Sequence, residues 1–72
     1  MKILIEYCGQ WNYEPRALRV REFLTKRYDA HVDLVESGGG VFEIFVDGTL
    51  MFSKKSEGRF PSERELAELN LT

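Results

Sequence analysis

Residues 2–36 read KILIEYCGQWNYEPRALRVREFLTKRYDAHVDLVE, and the hydrophobic period changes twice along them. Lys2 to Tyr7 alternates, with Ile3, Ile5 and Tyr7 on one face, Leu4 on the other and Glu6 near the exit. That period of two predicts a strand, and apolar residues on both faces predict a central one. A turn is expected at Cys8-Gly9. From Pro15 to Tyr28 the spacing becomes three and four: Ala17, Val20, Leu24 and Tyr28 form one stripe, flanked by Leu18 and Phe23. This is the signature of an amphipathic helix. Asn12 is expected as its N-cap, with Glu14 in the first turn and Pro15 tolerated where amides lack intrahelical acceptors. Lys26 and Arg27 suit the opposite end, and Glu22 can pair with Lys26 one turn on. His31 to Glu36 returns to period two, with Val32 and Leu34 facing one way and His31, Asp33 and Val35 the other. Strand, helix and strand form a βαβ unit, which predicts two parallel strands.

Working outward, Ser37-Gly38-Gly39-Gly40 reads as a flexible connection. Val41 to Asp47 and Thr49 to Ser53 read as two strands joined by Asp47-Gly48, a pair that favours a type I′ hairpin because both central residues need positive φ. An unbroken register places Val46 opposite Thr49, Phe45 opposite Leu50 and Ile44 opposite Met51. Phe42, Ile44 and Val46 then share a face with Met51, and Phe45, Leu50 and Phe52 lie on the other. Lys54 to Arg59 reads as a polar loop. Ser62 and Glu65 have capping-box spacing ahead of Leu66 and Leu69, predicting a short final helix from Ser62 to about Asn70, which packing must hold in place. The predicted class is α/β, in the order β-α-β-β-β-α, with a mixed four-stranded sheet and helices on one or both faces, hence two or three layers. The second helix is a candidate cover for the side carrying Phe45 and Phe52.

The chain has 72 residues, which predicts a single domain spanning residues 1–72. A hydrophobic content of 43% against 31% charged residues argues for a packed core beneath a soluble surface rather than disorder. The formal net charge of -2, with both signs interspersed, favours neither nucleic acid nor an anionic membrane as partner. Glu6 interrupts the first apolar run, so neither a signal peptide nor a membrane span is expected there. Cys8 is the one cysteine, which excludes an internal disulfide and points to a reducing compartment, the cytoplasm.

Cys8 stands between the end of a strand and the approach to a helix, where amide groups and the helix field favour a thiolate. The same position suits a small buried hydrophobe, and position alone leaves both readings open. His31 has no local set of carboxylates or thiols around it, so no metal site is expected. Gly38 to Gly40 lacks a following Lys-Ser/Thr and is not a phosphate loop. Arg16, Arg19, Lys26 and Arg27 read first as a solvated helix face.

Tyr7-Cys8-Gly9-Gln10-Trp11-Asn12-Tyr13-Glu14-Pro15, taken with Phe42-Glu43-Ile44-Phe45-Val46-Asp47-Gly48 and Phe52-Ser53-Lys54-Lys55, resembles the selenoprotein W-like branch of thioredoxin-like proteins, the Rdx family. That family places a Cys-x-x-Cys or Cys-x-x-selenocysteine motif after the first strand of a β-α-β-β-β-α domain. The likeness covers nearly the whole chain. It implies that Cys8 occupies the first redox position and that Trp11 stands at the second. An indole can neither attack nor leave as a thiol does, so a dithiol cycle within this chain is excluded. The chain's prolines are Pro15 and Pro61, neither just before the third strand, so the cis-proline of thioredoxins proper has no counterpart.

Three readings follow from that resemblance. The first is a monothiol redox protein in which Cys8 forms mixed disulfides with glutathione or a client protein thiol and an external thiol resolves them. Gly9 and Gln10 then form the backbone of the loop, and Trp11 and Tyr13 are walls of the site. No resident cofactor is implied, beyond a glutathione adduct at Cys8. The second is a noncatalytic interaction module that meets a protein partner through the Cys8–Trp11 loop, with Tyr7 and Tyr13 alongside. The third is retention of the fold after loss of its chemistry. Trp11 is either an interface anchor or a lid over the edge of the core, and its exposure separates the two.

Overall fold

The computed structural model describes residues 1–69. Its elements are β1 (Lys2–Cys8), α1 (Glu14–Tyr28), β2 (His31–Ser37), β3 (Phe42–Val46), β4 (Thr49–Ser53), α2 (Lys54–Glu57) and α3 (Glu63–Ala67). The sheet order is β2-β1-β3-β4, so β1 is central, as its two apolar faces predict. β1 runs parallel to β2 from the Lys2–His31 pair to the Cys8–Ser37 pair, and antiparallel to β3 from Ile3–Val46 to Tyr7–Phe42. The mixed sheet and the β-α-β-β-β-α order are those read from the sequence, with the single turn of α2 added.

Ile3, Ile5 and Tyr7 are buried on one face of β1 and form a continuous apolar cluster with Ala17, Val20 and Leu24 of α1. Leu66 and Leu69 join the same cluster, so α1 and α3 lie on the same side of the sheet. The molecule is thus two-layered. Tyr28 ties the helices together: its hydroxyl donates to the carbonyl of Leu66 and accepts from the amide of Leu69 at 3.0 Å. The guanidinium of Arg27 adds a hydrogen bond to the Ala67 carbonyl at 3.2 Å. The capping box is present, with Ser62 Oγ accepting from the Glu65 amide and the Glu65 carboxylate accepting from the Ser62 amide. The Asn70 expected near the end of this helix lies outside the described residues. The Glu22–Lys26 pair also forms, at 3.9 Å on an exposed face.

Five expectations need correction. Asn12 does not cap α1: it has φ 59°, and Tyr13 is the N-cap without a side-chain bond. The turn is closed instead by main-chain bonds from Asn12 N to Gly9 O and from Tyr13 N to Cys8 O. This demands a left-handed residue, which asparagine tolerates. The strand β1 extends through Cys8, so the turn begins one residue later than expected.

The hairpin turn has the expected positive φ at Asp47 (49°) and Gly48 (87°), and Val46–Thr49 and Phe45–Leu50 pair as expected. Beyond them the register shifts, and Ile44 pairs with Phe52 rather than with Met51. A β-bulge places one extra residue in β4, and a one-residue shift exchanges the faces of everything that follows. Phe52 therefore enters the core at 6% exposure, while Phe45 and Leu50 remain on the other face. No helix of the described residues covers that other face, because α3 packs beside α1. Finally, Lys54–Glu57 is a helical turn rather than a loop, capped by Ser53 and closed by Gly58 at φ 75°.

Candidate functional site

Cys8 ends the central strand with its main chain tied on both sides. Its amide donates to Val41 O at 2.9 Å, and its carbonyl accepts from Tyr13 N at 3.2 Å. The next amide, Gly9 N, donates to Ser37 O at 3.0 Å. The residue is thus fixed between the 38–41 connection and the turn that leads into α1. The thiol is free and the residue is 0% exposed. Strand alternation turns its side chain away from the face of Ile3, Ile5 and Tyr7.

Trp11 is 59% exposed, so it is not a buried lid. Its ring nevertheless rests on the connection that holds Cys8: a Cβ built on Gly40 would stand 2.5 Å from Trp11 Cζ3. Its other side meets Tyr13 edge-on, with centroids 6.2 Å apart. Tyr13 leads in turn to Phe60 at 4.8 Å and Phe60 to Phe42 at 5.3 Å, both edge-to-face. This aromatic file runs from the exposed turn into the core. Lys54 Nζ lies 5.7 Å from the Tyr13 ring and 5.3 Å from Phe60, and the Arg16 guanidinium sits 4.1 Å over Phe60, distances at which cation–π attraction operates.

Gly9 is half-buried beside Glu36, whose carboxylate leaves no room for a Cβ there. Gln10 is exposed. Under the turn a small pocket of about 100 Å³ is bounded by Tyr7, Gly9, Asn12, Glu14 and Glu36. The Tyr7 hydroxyl donates to Glu14 Oε2 at 3.5 Å. Burial, followed by the carboxylates of Glu14 and Glu36, raises the Tyr7 phenol above its ordinary pKa of 10.0.

Among the expected site residues, Cys8, Gly9, Trp11 and Tyr13 are brought around one turn, with Gln10 at its exposed tip. Sequence reasoning missed Glu36, Gly40 and Phe60 as neighbours of that turn. For Glu36 a signal existed, because parallel pairing of the first two strands sets it beside Tyr7. Phe60 lies in a segment with no period to read. His31 is exposed and pairs with Asp33 at 3.1 Å. Among the described residues no group of three or more His, Cys, Asp and Glu side chains converges on a metal position, and no helix is long and apolar enough to cross a membrane.

Residues 2–69 match the Rdx family. Bovine migration and invasion enhancer 1 is 33% identical over 69 residues, covering 94% of this chain and 60% of that protein. Sheep selenoprotein W is 31% identical over 72 residues, covering 93% of this chain and 83% of that one. The chain thus spans 60% of the length of the bovine relative and 58% of its mouse counterpart. The crystal structure of a selenoprotein W-related protein from Vibrio cholerae superposes with a TM-score of 0.89 at 32% identity, covering 94% of this chain and 89% of that one. A protein from Bordetella parapertussis gives 0.90 at 30% identity, with 97% and 92% covered. Matched to the family over residues 2–69 and superposing along nearly its whole length on these two solved structures, the chain belongs to the Rdx family.

Proposed function

We propose that residues 1–72 act as one monothiol redox domain in a reducing compartment, the cytoplasm, with Cys8 as the nucleophile. The Cys8 thiolate attacks one sulfur of a disulfide, such as oxidised glutathione. The S–S bond breaks, a Cys8–glutathione disulfide forms, and the displaced thiolate takes up a proton. A second external thiol then attacks the mixed disulfide and regenerates Cys8, because Trp11 offers no resolving sulfur. The observation that carries this reading is the place of Cys8, the last residue of the inner strand, bonded through its carbonyl to the N-cap amide of α1. Since Cys8 is 0% exposed, exchange requires local opening of the turn and of the glycine-rich connection on which Trp11 rests. Gly9 and Gln10 supply the moving backbone, and Trp11 and Tyr13 are its walls.

The test is incubation of the folded protein with oxidised glutathione, read by intact mass. One glutathionyl group should add to wild type and none to Cys8→Ser, while Trp11→Ala should accelerate the addition. An adduct that forms only in urea would make Cys8 a packing residue and end this reading.

A second reading is favoured by the contrast between the buried thiol and the exposed indole. In it the Cys8–Trp11 turn is a noncatalytic contact surface for a protein partner, with Trp11 as anchor. Partner capture would then fall more on Trp11→Ala than on Cys8→Ser, and equal capture by both variants would exclude it.

A further inference from the structure

The sheet face opposite the helices carries two ordered cross-strand rows. One runs Asp33, Leu4, Phe45, Leu50, and the next runs Val35, Glu6, Glu43, Ser53. Leu50 is 47% exposed and Val35 43%, and Leu4 and Phe45 are half-buried without a helix above them. A shallow depression of about 770 Å³ opens on this side between Lys2, Leu4, Asp33, Phe45 and Asp47. Domains bury such apolar sheet faces under a further layer, and here both packed helices lie on the other side.

Lys2 and His31 lie at one end of this face, His31 paired with Asp33, and toward the other end its charge is acidic and specifies what fits there. Glu6 and Glu43 stand directly opposite each other in the β1–β3 ladder, where like charges are unfavourable. Among the described residues neither makes an ion pair, and Glu43 accepts a hydrogen bond only from Ser53 Oγ, at 3.1 Å. Pairing with a second copy across a two-fold axis through this row would set the carboxylate pair against its own image. Phosphate-bearing ligands are repelled for the same reason.

We propose that this open face docks a basic amphipathic helix of another protein. Its apolar stripe covers Leu4, Phe45, Leu50 and Val35, and a Lys or Arg inserts between Glu6 and Glu43. Four strands about 4.8 Å apart are spanned by roughly three turns of helix. The proposal does not depend on Cys8 chemistry, and it uses a face distinct from the Trp11 turn.

The experiment titrates the isotope-labelled full chain with a designed Leu/Lys amphipathic peptide of roughly 14 residues, and with its Leu/Glu counterpart of equal apolar content, following amide shifts by NMR. The Leu/Lys peptide should bind, with shifts centred on Leu4, Glu6, Val35, Glu43 and Leu50. Binding should weaken about tenfold in the Glu6→Gln/Glu43→Gln double variant and likewise in Leu50→Ser. The double variant relieves a like-charge contact, so its amide spectrum should keep the dispersion of wild type and its loss of binding is not a loss of fold. Equal binding of the Leu/Glu peptide, no binding, shifts confined to the Trp11 turn, or unchanged affinity in the double variant would each overturn the proposal. Concentration-dependent shifts of the same amides without peptide would assign the face to self-association and overturn it as well.

Discussion

The indole of Trp11 occupies the space where Gly40 would carry a side chain, with Cζ3 2.5 Å from the position of a Cβ. Gly40 also has φ 74°, a conformation that costs an L-residue about 1–2 kcal/mol. Gly40→Ala should therefore displace the indole and strain the 38–41 connection together. The expected outcome is a red-shifted tryptophan emission, a loss of about 1–2 kcal/mol in urea unfolding and faster alkylation of Cys8. An unchanged emission maximum would mean the ring does not rest on Gly40 in solution.

Cys8 is completely buried, which sets an order between two small replacements. Ser places a hydroxyl where the thiol sits, and burying a hydroxyl that finds no partner costs about 1–3 kcal/mol. Ala carries no such polar atom. Cys8→Ser should thus unfold at lower urea than Cys8→Ala, and Cys8→Ala serves as the folded control in the glutathione experiment. The reverse order would indicate a hydrogen-bond acceptor close to the thiol.

Tyr28→Phe removes one hydroxyl and with it the bonds to Leu66 O and Leu69 N. The expected loss is about 1–2 kcal/mol, and because the bonds are confined to the α1–α3 junction, hydrogen exchange should quicken in residues 66–69 ahead of the sheet. Uniform acceleration across β1 would place the bond in the global unfolding unit instead.

The Glu65 carboxyl is held down to about 2 from its usual 4.5, first by the Arg59 guanidinium and then by the Ser62 amide. A carboxyl with a depressed folded-state pKa stabilises above its unfolded value and loses that contribution as pH falls through the folded one. The thermal midpoint of wild type should therefore exceed that of Glu65→Gln near neutral pH, with the gap closing between pH 4.5 and about 2. The gap should be modest because the pair is solvent-accessible. A gap that stayed constant with pH would remove ionisation as its cause.

Glu6→Gln should slightly raise stability, by about 0.2–1 kcal/mol, through relief of the Glu6–Glu43 opposition in the sheet. Urea unfolding at low salt gives the cleanest reading, since salt screens the repulsion. A destabilised variant would show that Glu6 already has a favourable partner.

Local rules made most of the fold legible. The alternation of Ile3, Ile5 and Tyr7 fixed a strand and its buried face, Asp47-Gly48 fixed a hairpin, and Ser62 with Glu65 fixed a helix start, because each rests on a few adjacent residues. What escaped depended on contacts remote in sequence. The bulge in β4 leaves no mark in the pattern TLMFS, since Leu50, Met51 and Phe52 are all apolar and either register buries something.

The site was legible as a list of residues and not as an environment. Cys8, Trp11 and Tyr13 stand close together in the chain, so any turn brings them near one another. That the thiol is enclosed while the indole is open depends on Val41 and Gly40, about thirty residues downstream. The aromatic file through Phe60 closes only once the last helix docks.

The strand at the centre of the sheet is also the first to be synthesised. β1 leaves the ribosome ahead of both of its neighbours, and its antiparallel edge waits for β3. The closing contact joins Lys2 N to Asp47 Oδ1 at 2.9 Å and Asp47 N to Lys2 O at 2.8 Å, across a separation of 45 residues. Closing a loop of that length costs entropy before any ladder bond repays it. Closure of this sheet consequently waits until the hairpin has been made and returns to β1.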